Sequence, residues 1–176
     1  MTRILVLGGS RSGKSAYAES LLSEAAAVEY VATAADRLGD EEWTRRIAAH
    51  RARRPVNWRT VETGDLASVL AADGPPVLID SITTWLARVL DETDYWSASA
   101  AHPPPAYSER AEQLCSLWGS TGRHVVAVSD EVGSGVVPAT ESGRRFRDEL
   151  GELNQRLAAT ADEVHLVVAG IPLRLR

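Results

Sequence analysis

Residues 8 to 15 read Gly-Gly-Ser-Arg-Ser-Gly-Lys-Ser, directly after the apolar run Ile4-Leu5-Val6-Leu7. A glycine followed after a fixed gap by Gly13-Lys14-Ser15, with a strand before and a helix after, is the pattern of a phosphate-binding loop. Glycines let the backbone N–H groups of Gly8, Gly9, Ser10, Arg11, Ser12 and Gly13 fold inward around phosphate oxygens. The helix that follows presents the positive end of its dipole to the same anion. Lys14 is expected to reach the β- and γ-phosphates and Ser15 to place its hydroxyl on Mg²⁺. A glycine turn that merely joins strand to helix would not need the Lys-Ser ending. The chain is therefore expected to bind a nucleoside triphosphate.

Such a loop also calls for a carboxylate at the end of a neighbouring strand to orient the magnesium shell. Asp80, after Val77-Leu78-Ile79, and Asp130-Glu131, after Val125-Val126-Ala127-Val128-Ser129, both qualify, and Asp80 is preferred. The other reading of Asp80 is an acidic N-cap for the helix that opens at Ser81. Asp130-Glu131-Val132-Gly133 has the outline of a GTPase switch motif, but no Asn-Lys-x-Asp guanine-reading motif follows it.

A second candidate for chemistry is His50. The stretch EEWTRRIAAHRARRP, residues 41 to 55, has helical periodicity and is ended by Pro55. Trp43, Ile47 and His50 share one face, and Arg46, His50 and Arg54 stand one turn apart. Arginines there suit a triphosphate, whose oxygens they can clamp in bidentate fashion. Their field favours a neutral, nucleophilic imidazole, while the C-terminal helix dipole pulls the other way. A solvated basic helix with an incidental histidine is the alternative. His102, His124 and His165 have no metal-ligand spacing and are read as structural.

These groups must be held by a scaffold, and the pattern of runs describes one. Arg3-Leu7, Val28-Ala32, Trp58-Val61, Val77-Ile79, Val125-Val128 and Val164-Val168 read as strands; 14–24, 40–53, 65–72, 81–91, 107–119 and 140–161 read as helices. The alternation predicts an α/β fold whose mostly parallel sheet is covered by helices on both faces. The turn signal at Gly170-Ile-Pro172 predicts an antiparallel C-terminal hairpin. The proline-rich stretch 97–108 reads as a surface loop.

Length and composition set bounds on function. The chain has 176 residues, enough for one domain over 1–176. A net charge of −5 argues against a nucleic-acid binder. Cys115 is the sole cysteine, so no disulfide framework or cysteine metal site is expected, and it reads as a buried apolar residue. Neither a secretory signal nor a membrane span is apparent, so a cytoplasmic protein is expected.

Several blocks taken together are more specific: GGSRSGKS, YVATA at 30–34, RIAAHRARRPVNWRTVE at 46–62, LIDSITTW at 78–85, SDEVGSGVVP at 129–138, and FRDELGELNQRLAATADEVHLVVAGIP at 146–172. In this order, over nearly the whole chain, they resemble the bifunctional adenosylcobinamide kinase/adenosylcobinamide-phosphate guanylyltransferase family of cobalamin biosynthesis. The resemblance implies a P-loop fold and two activities. One phosphorylates the terminal hydroxyl of the corrinoid's aminopropanol arm from ATP or GTP. The other joins GMP from GTP to that phosphate, releasing pyrophosphate. It implies a GMP adduct on His50, nucleotide contacts from Arg51, Ala52, Arg53 and Arg54, and further nucleotide-binding positions at Ala32, Thr33, Ala34, Glu62 and Asp80. It also implies a homotrimer and a corrinoid partner.

The sequence departs from the family pattern in two places. Ala49 precedes His50 where some relatives pair two histidines, and Arg-Ala-Arg-Arg replaces a Lys-Asp-Gly-Arg-like segment. A guanylyltransferase without the kinase, a different small-molecule P-loop kinase and a nucleotide-dependent switch are the competing readings. Retention of GMP on the chain separates the first from the last two.

Overall fold

The computed structural model describes residues 1–34, 54–99 and 102–176. The helix expected at 40–53 lies outside them, and with it Trp43, Arg46, Ile47, His50, Arg51, Ala52 and Arg53.

The described chain alternates strand and helix: β1 (Arg3–Gly8), α1 (Lys14–Ser20), β2 (Val28–Ala32), β3 (Trp58–Glu62), α2 (Leu66–Ala71), β4 (Val77–Asp80), α3 (Ile82–Glu92), α4 (Pro105–Ser120), β5 (Val125–Asp130), α5 (Glu141–Thr160), β6 (Glu163–Val168) and β7 (Ile171–Arg174). The strands form one sheet in the order β3-β2-β4-β5-β1-β6-β7. All neighbours are parallel except β6 and β7, which form the antiparallel hairpin.

Burial on both faces explains the continuous apolar runs of the central strands. Ile4, Val6, Leu78, Val126 and Val128 point to one side, where Ala18 and Leu22 cover them. Leu5, Val77, Ile79, Val125 and Ala127 point to the other, against α2, α3, α4 and α5 through Leu70, Leu86, Leu114 and Leu153. The pleat thus sends alternate residues of one strand into two separate cores.

Two helix boundaries differ from expectation. α1 stops at Ser20, short of 24, because the chain tightens into turns there: Ser20 and Ser23 hydroxyls donate to the carbonyls of Tyr17 and Ser20, at 2.7 and 2.9 Å. α4 starts at Pro105, inside the stretch read as loop, since a proline at the first helical position has no N–H to leave unsatisfied. Cys115 is half-buried against the larger core, and burial pushes its thiol up. Among the described residues no helix is long and apolar enough to cross a membrane.

Candidate nucleotide-binding site

The C-terminal ends of the parallel strands bring the candidate residues to one edge of the sheet, where ligands bind in open α/β folds. Register fixes their neighbours. Ala32 pairs with Glu62 on one side and Asp80 on the other, so β3, β2 and β4 end in a single row. Gly8, the start of the loop, pairs with Asp130 of β5.

The loop itself is closed by its own backbone. Ser12 N–H donates to the Gly9 carbonyl at 3.3 Å, and Tyr17 N–H reaches Gly13 at 3.0 Å to open α1. Gly13 caps that helix at φ 93°, a left-handed conformation that favours glycine. The hairpin braces the loop from outside, its Gly170 N–H donating to the Ser12 carbonyl at 2.8 Å. Gly9, Ser10 and Arg11 are exposed on the rim, Ser15 is half-buried, and Ser12 and Lys14 are buried. The Ser12 hydroxyl is buried with no hydrogen-bond partner in the protein, which suits a group that meets a ligand oxygen.

Lys14 is ion-paired across the end of β5. Its ammonium lies 2.6 Å from Asp130 Oδ1 and donates to the Gly9 carbonyl at 3.2 Å. Asp130 is held by its backbone: its N–H donates to Thr83 Oγ1 at 2.8 Å, and its carbonyl accepts from Asn154 Nδ2 at 3.0 Å. Glu131 N–H donates to the Gly8 carbonyl at 3.1 Å, locking the end of β5 to the loop.

Asp80 stands one strand further out and accepts from the Tyr30 hydroxyl. Burial first, then the adjacent Asp80, pushes the Tyr30 phenol far above its ordinary range, so it stays a donor. Arg54 lies over the Tyr30 ring with its guanidinium carbon 3.4 Å from the centroid, and it donates to Thr60 Oγ1 at 2.9 Å. Arg54, Tyr30 and Asp80 therefore form a chain running from β3 towards the strand ends. The cap of α3 is Ser81, whose hydroxyl accepts from Thr84 N–H at 3.2 Å; Asp80 is not the cap. Thr33 is fully buried and bridges to that cap, accepting from Ser81 N–H at 3.0 Å and donating to its carbonyl at 2.6 Å. Ala34 follows, half-buried.

A profile of the family described as cobinamide kinase / cobinamide phosphate guanyltransferase matches residues 4–175. The bifunctional adenosylcobalamin biosynthesis protein CobP of Pseudomonas aeruginosa is 42% identical over 179 residues, covering 99% of this chain and 97% of that protein. This chain belongs to that family. The corresponding protein CobU of Salmonella typhimurium is 39% identical over 183 residues, covering 98% of this chain and 99% of that one. Among solved structures, an ATPase from the type III secretion system of pathogenic bacteria matches with a TM-score of 0.60 at 12% identity over 94% of this chain. The chain spans 50% of that ATPase, and the likeness is one of fold.

Within this cobinamide kinase/guanyltransferase fold, the structure brings the loop residues, Ala32 to Ala34, Glu62 and Asp80 to one edge, and Arg54 is linked to that edge through Tyr30. His50 and Arg51 to Arg53 lie outside the described residues. The sequence reading passed over Thr83 and Asn154, which clamp Asp130; both are ordinary helix residues whose role depends on which strand lies beside β1. Two of the three histidines read as structural are engaged in the fold through their rings: His165 Nδ1 lies 2.6 Å from Tyr17 Oη and its Nε2 2.9 Å from Glu163 Oε2, and His124 Nδ1 lies 2.8 Å from the Thr2 carbonyl, whereas His102 is exposed.

Mg²⁺ at a P-loop keeps several waters and phosphate oxygens and takes only one or two protein ligands. A serine hydroxyl at the head of α1 and a carboxylate at a strand end fit that need. No group of three or more His, Cys, Asp and Glu side chains arranged as a metal cage occurs among the described residues.

Proposed function

We propose that the chain phosphorylates adenosylcobinamide from ATP or GTP and then transfers GMP from GTP to adenosylcobinamide phosphate through a guanylylated His50. The products of the second reaction are adenosylcobinamide-GDP and pyrophosphate, a step of cobalamin biosynthesis. The observation that carries this reading is the family match over residues 4–175.

The loop residues Gly8 to Ser15 hold the triphosphate, and Lys14 neutralises its β- and γ-oxygens so that pyrophosphate can leave. The His50 imidazole attacks the α-phosphorus, a P–N bond forms, and the bond to the bridging oxygen breaks with its electron pair going to pyrophosphate. An oxygen of the corrinoid phosphate then attacks the same phosphorus and returns the imidazole. Arg51 to Arg54 contact the nucleotide, with Ala32, Thr33, Ala34 and Glu62 completing its site. Ser15 and Asp80 would hold Mg²⁺, which supplies charge neutralisation at the phosphate oxygens. The chain acts as one domain over 1–176, as a cytoplasmic homotrimer with a corrinoid substrate and no nucleic-acid partner.

The test is incubation with α-labelled GTP and Mg²⁺ followed by denaturation, with His50→Ala in parallel. Label that is acid-labile, alkali-stable and missing from the variant supports a phosphoramidate at His50. A protein that binds GTP but keeps no label refutes the covalent route and leaves a small-molecule P-loop kinase as the reading.

A further inference from the structure

The kinase step needs a group to take the proton from the attacking hydroxyl. The strand ends beside the loop offer three carboxylates in different surroundings. Glu131 is turned back on its own loop, accepting from Gly133 N–H at 2.8 Å and Ser134 N–H at 3.2 Å. Asp80 is one strand further from the loop and accepts from a tyrosine that remains protonated. Asp130 lies directly beside Gly8, and its side chain is 31% exposed, open to the sheet edge where substrate must approach.

Its distance to the reacting atoms can be gauged from Lys14. The ammonium that now sits 2.6 Å from Asp130 Oδ1 is the group that meets the β- and γ-oxygens of a bound triphosphate. Two charge-assisted contacts of about 2.8 Å placed end to end put the carboxylate about 5 to 6 Å from a γ-oxygen. Once the ammonium moves off the carboxylate onto the phosphates, a gap of that size admits a hydroxyl whose oxygen stands about 3 to 3.5 Å from phosphorus with its proton pointing at the base. The Thr83 and Asn154 hydrogen bonds hold the Asp130 backbone in that place when the lysine is drawn to phosphate.

We propose that Asp130 is the general base of the phosphoryl-transfer step. The corrinoid hydroxyl oxygen bonds to the γ-phosphorus, its proton passes to an Asp130 carboxylate oxygen, and the bond to the bridging oxygen breaks with its electron pair leaving on the nucleoside diphosphate. In the ground state the same carboxylate parks Lys14. This inference rests on the kinase half of the proposed function. The guanylyl transfer has a phosphate oxygen as its acceptor and needs no such base.

The experiment compares the two activities in full-length Asp130→Asn and Asp130→Glu. Transfer of γ-label to adenosylcobinamide reads one, and retention of α-label from GTP reads the other. Loss of a general base costs about 10² to 10⁴ in rate. Asp130→Asn is expected to lower kinase kcat within that range and GMP labelling less than tenfold, with Asp130→Glu recovering part of the kinase rate. Equal loss of both activities in Asp130→Asn would show that the residue acts only by positioning Lys14, and loss of neither would remove it from the reaction; each overturns the proposal. GMP labelling certifies that the variant is folded. If circular dichroism shows that Asp130→Asn fails to fold, Asp130→Glu decides, since parallel loss there also overturns the proposal. A wild-type protein that labels with GMP yet transfers no γ-phosphate overturns the kinase reading and this inference together, whereas an active wild type without the split overturns the inference alone.

Discussion

Replacing Gly13 by alanine probes the junction of loop, helix and hairpin in one step. Gly13 has φ 93°, where an L-residue pays about 1–2 kcal/mol. An added Cβ would also come within 3.2 Å of Gly170 Cα, a backbone atom of the hairpin turn that cannot swing aside. Crowding of that kind adds about 1–2 kcal/mol, for a total of roughly 2–4 kcal/mol. At about 2–4 °C per kcal/mol for a chain of this size, Tm should fall on the order of 10 °C. Gly170→Ala is the matched control: its φ is +80° but nothing lies within 4 Å of the added Cβ, so only the backbone term of about 1–2 kcal/mol applies. Thermal unfolding followed by circular dichroism should rank Gly13→Ala clearly below Gly170→Ala. Added GTP should raise Tm less for Gly13→Ala than for wild type, because the hairpin is pushed against the loop that holds phosphate. Equal melting temperatures for the two variants would refute the reasoning, since the contact between turn and helix cap would then cost nothing.

Two stability predictions use groups away from the loop. Asp162 accepts Arg3 Nε and Nη2, each at 3.0 Å, and the Arg3 N–H at 2.8 Å, and these bonds hold its carboxyl down at about 2. A depressed folded value stabilises above the unfolded pKa of about 4 and is lost as pH falls towards 2. With the carboxylate side chain 39% exposed, solvent screening limits the pair to about 1 kcal/mol. Asp162→Asn should lower Tm by about 2–4 °C at pH 7, with the gap to wild type closing between pH 4 and 2; a gap that widens in acid would contradict the assignment. Arg123 is buried, donating to the carbonyls of Val69 at 3.0 Å and Pro75 at 3.1 Å and lying 3.6 Å from Glu29. Arg123→Ala strands those carbonyls and a partly buried carboxylate, so a loss of about 3–5 kcal/mol is expected in urea unfolding, and one under 1 kcal/mol would show that water replaces the guanidinium.

How far the sequence leads depends on whether a feature is local. The strands were legible because burial on both faces requires unbroken apolar runs such as Val125-Val126-Ala127-Val128. The loop was legible because eight consecutive residues carry its chemistry. Asp130 was named beside Asp80 but ranked second, because its pairing with Lys14 depends on β5 lying next to β1, and the order of strands is not written in any one segment. Thr83 and Asn154 were passed over for the same reason. Tyr30 read only as a strand residue; its hydroxyl acquires a partner when β2 and β4 come together in register. The start of α4 was missed where prolines read as loop, although a proline at the first helical position is compatible with the helix it opens.

The position of β1 has a consequence for how the protein is made. Among the strands of this sheet β1 comes first in sequence, yet it is flanked by β5 and β6, which come far later, and its loop is braced by the turn between β6 and β7. Contacts between such distant segments carry a large loop-closure cost before they are rewarded. The nucleotide site, whose loop directly follows β1, is therefore completed only after β5, β6 and β7 have been made. Until then β1 presents two apolar faces and two unpaired edges, which makes the nascent chain a natural client for chaperones and makes a C-terminal truncation a lesion of the N-terminal site.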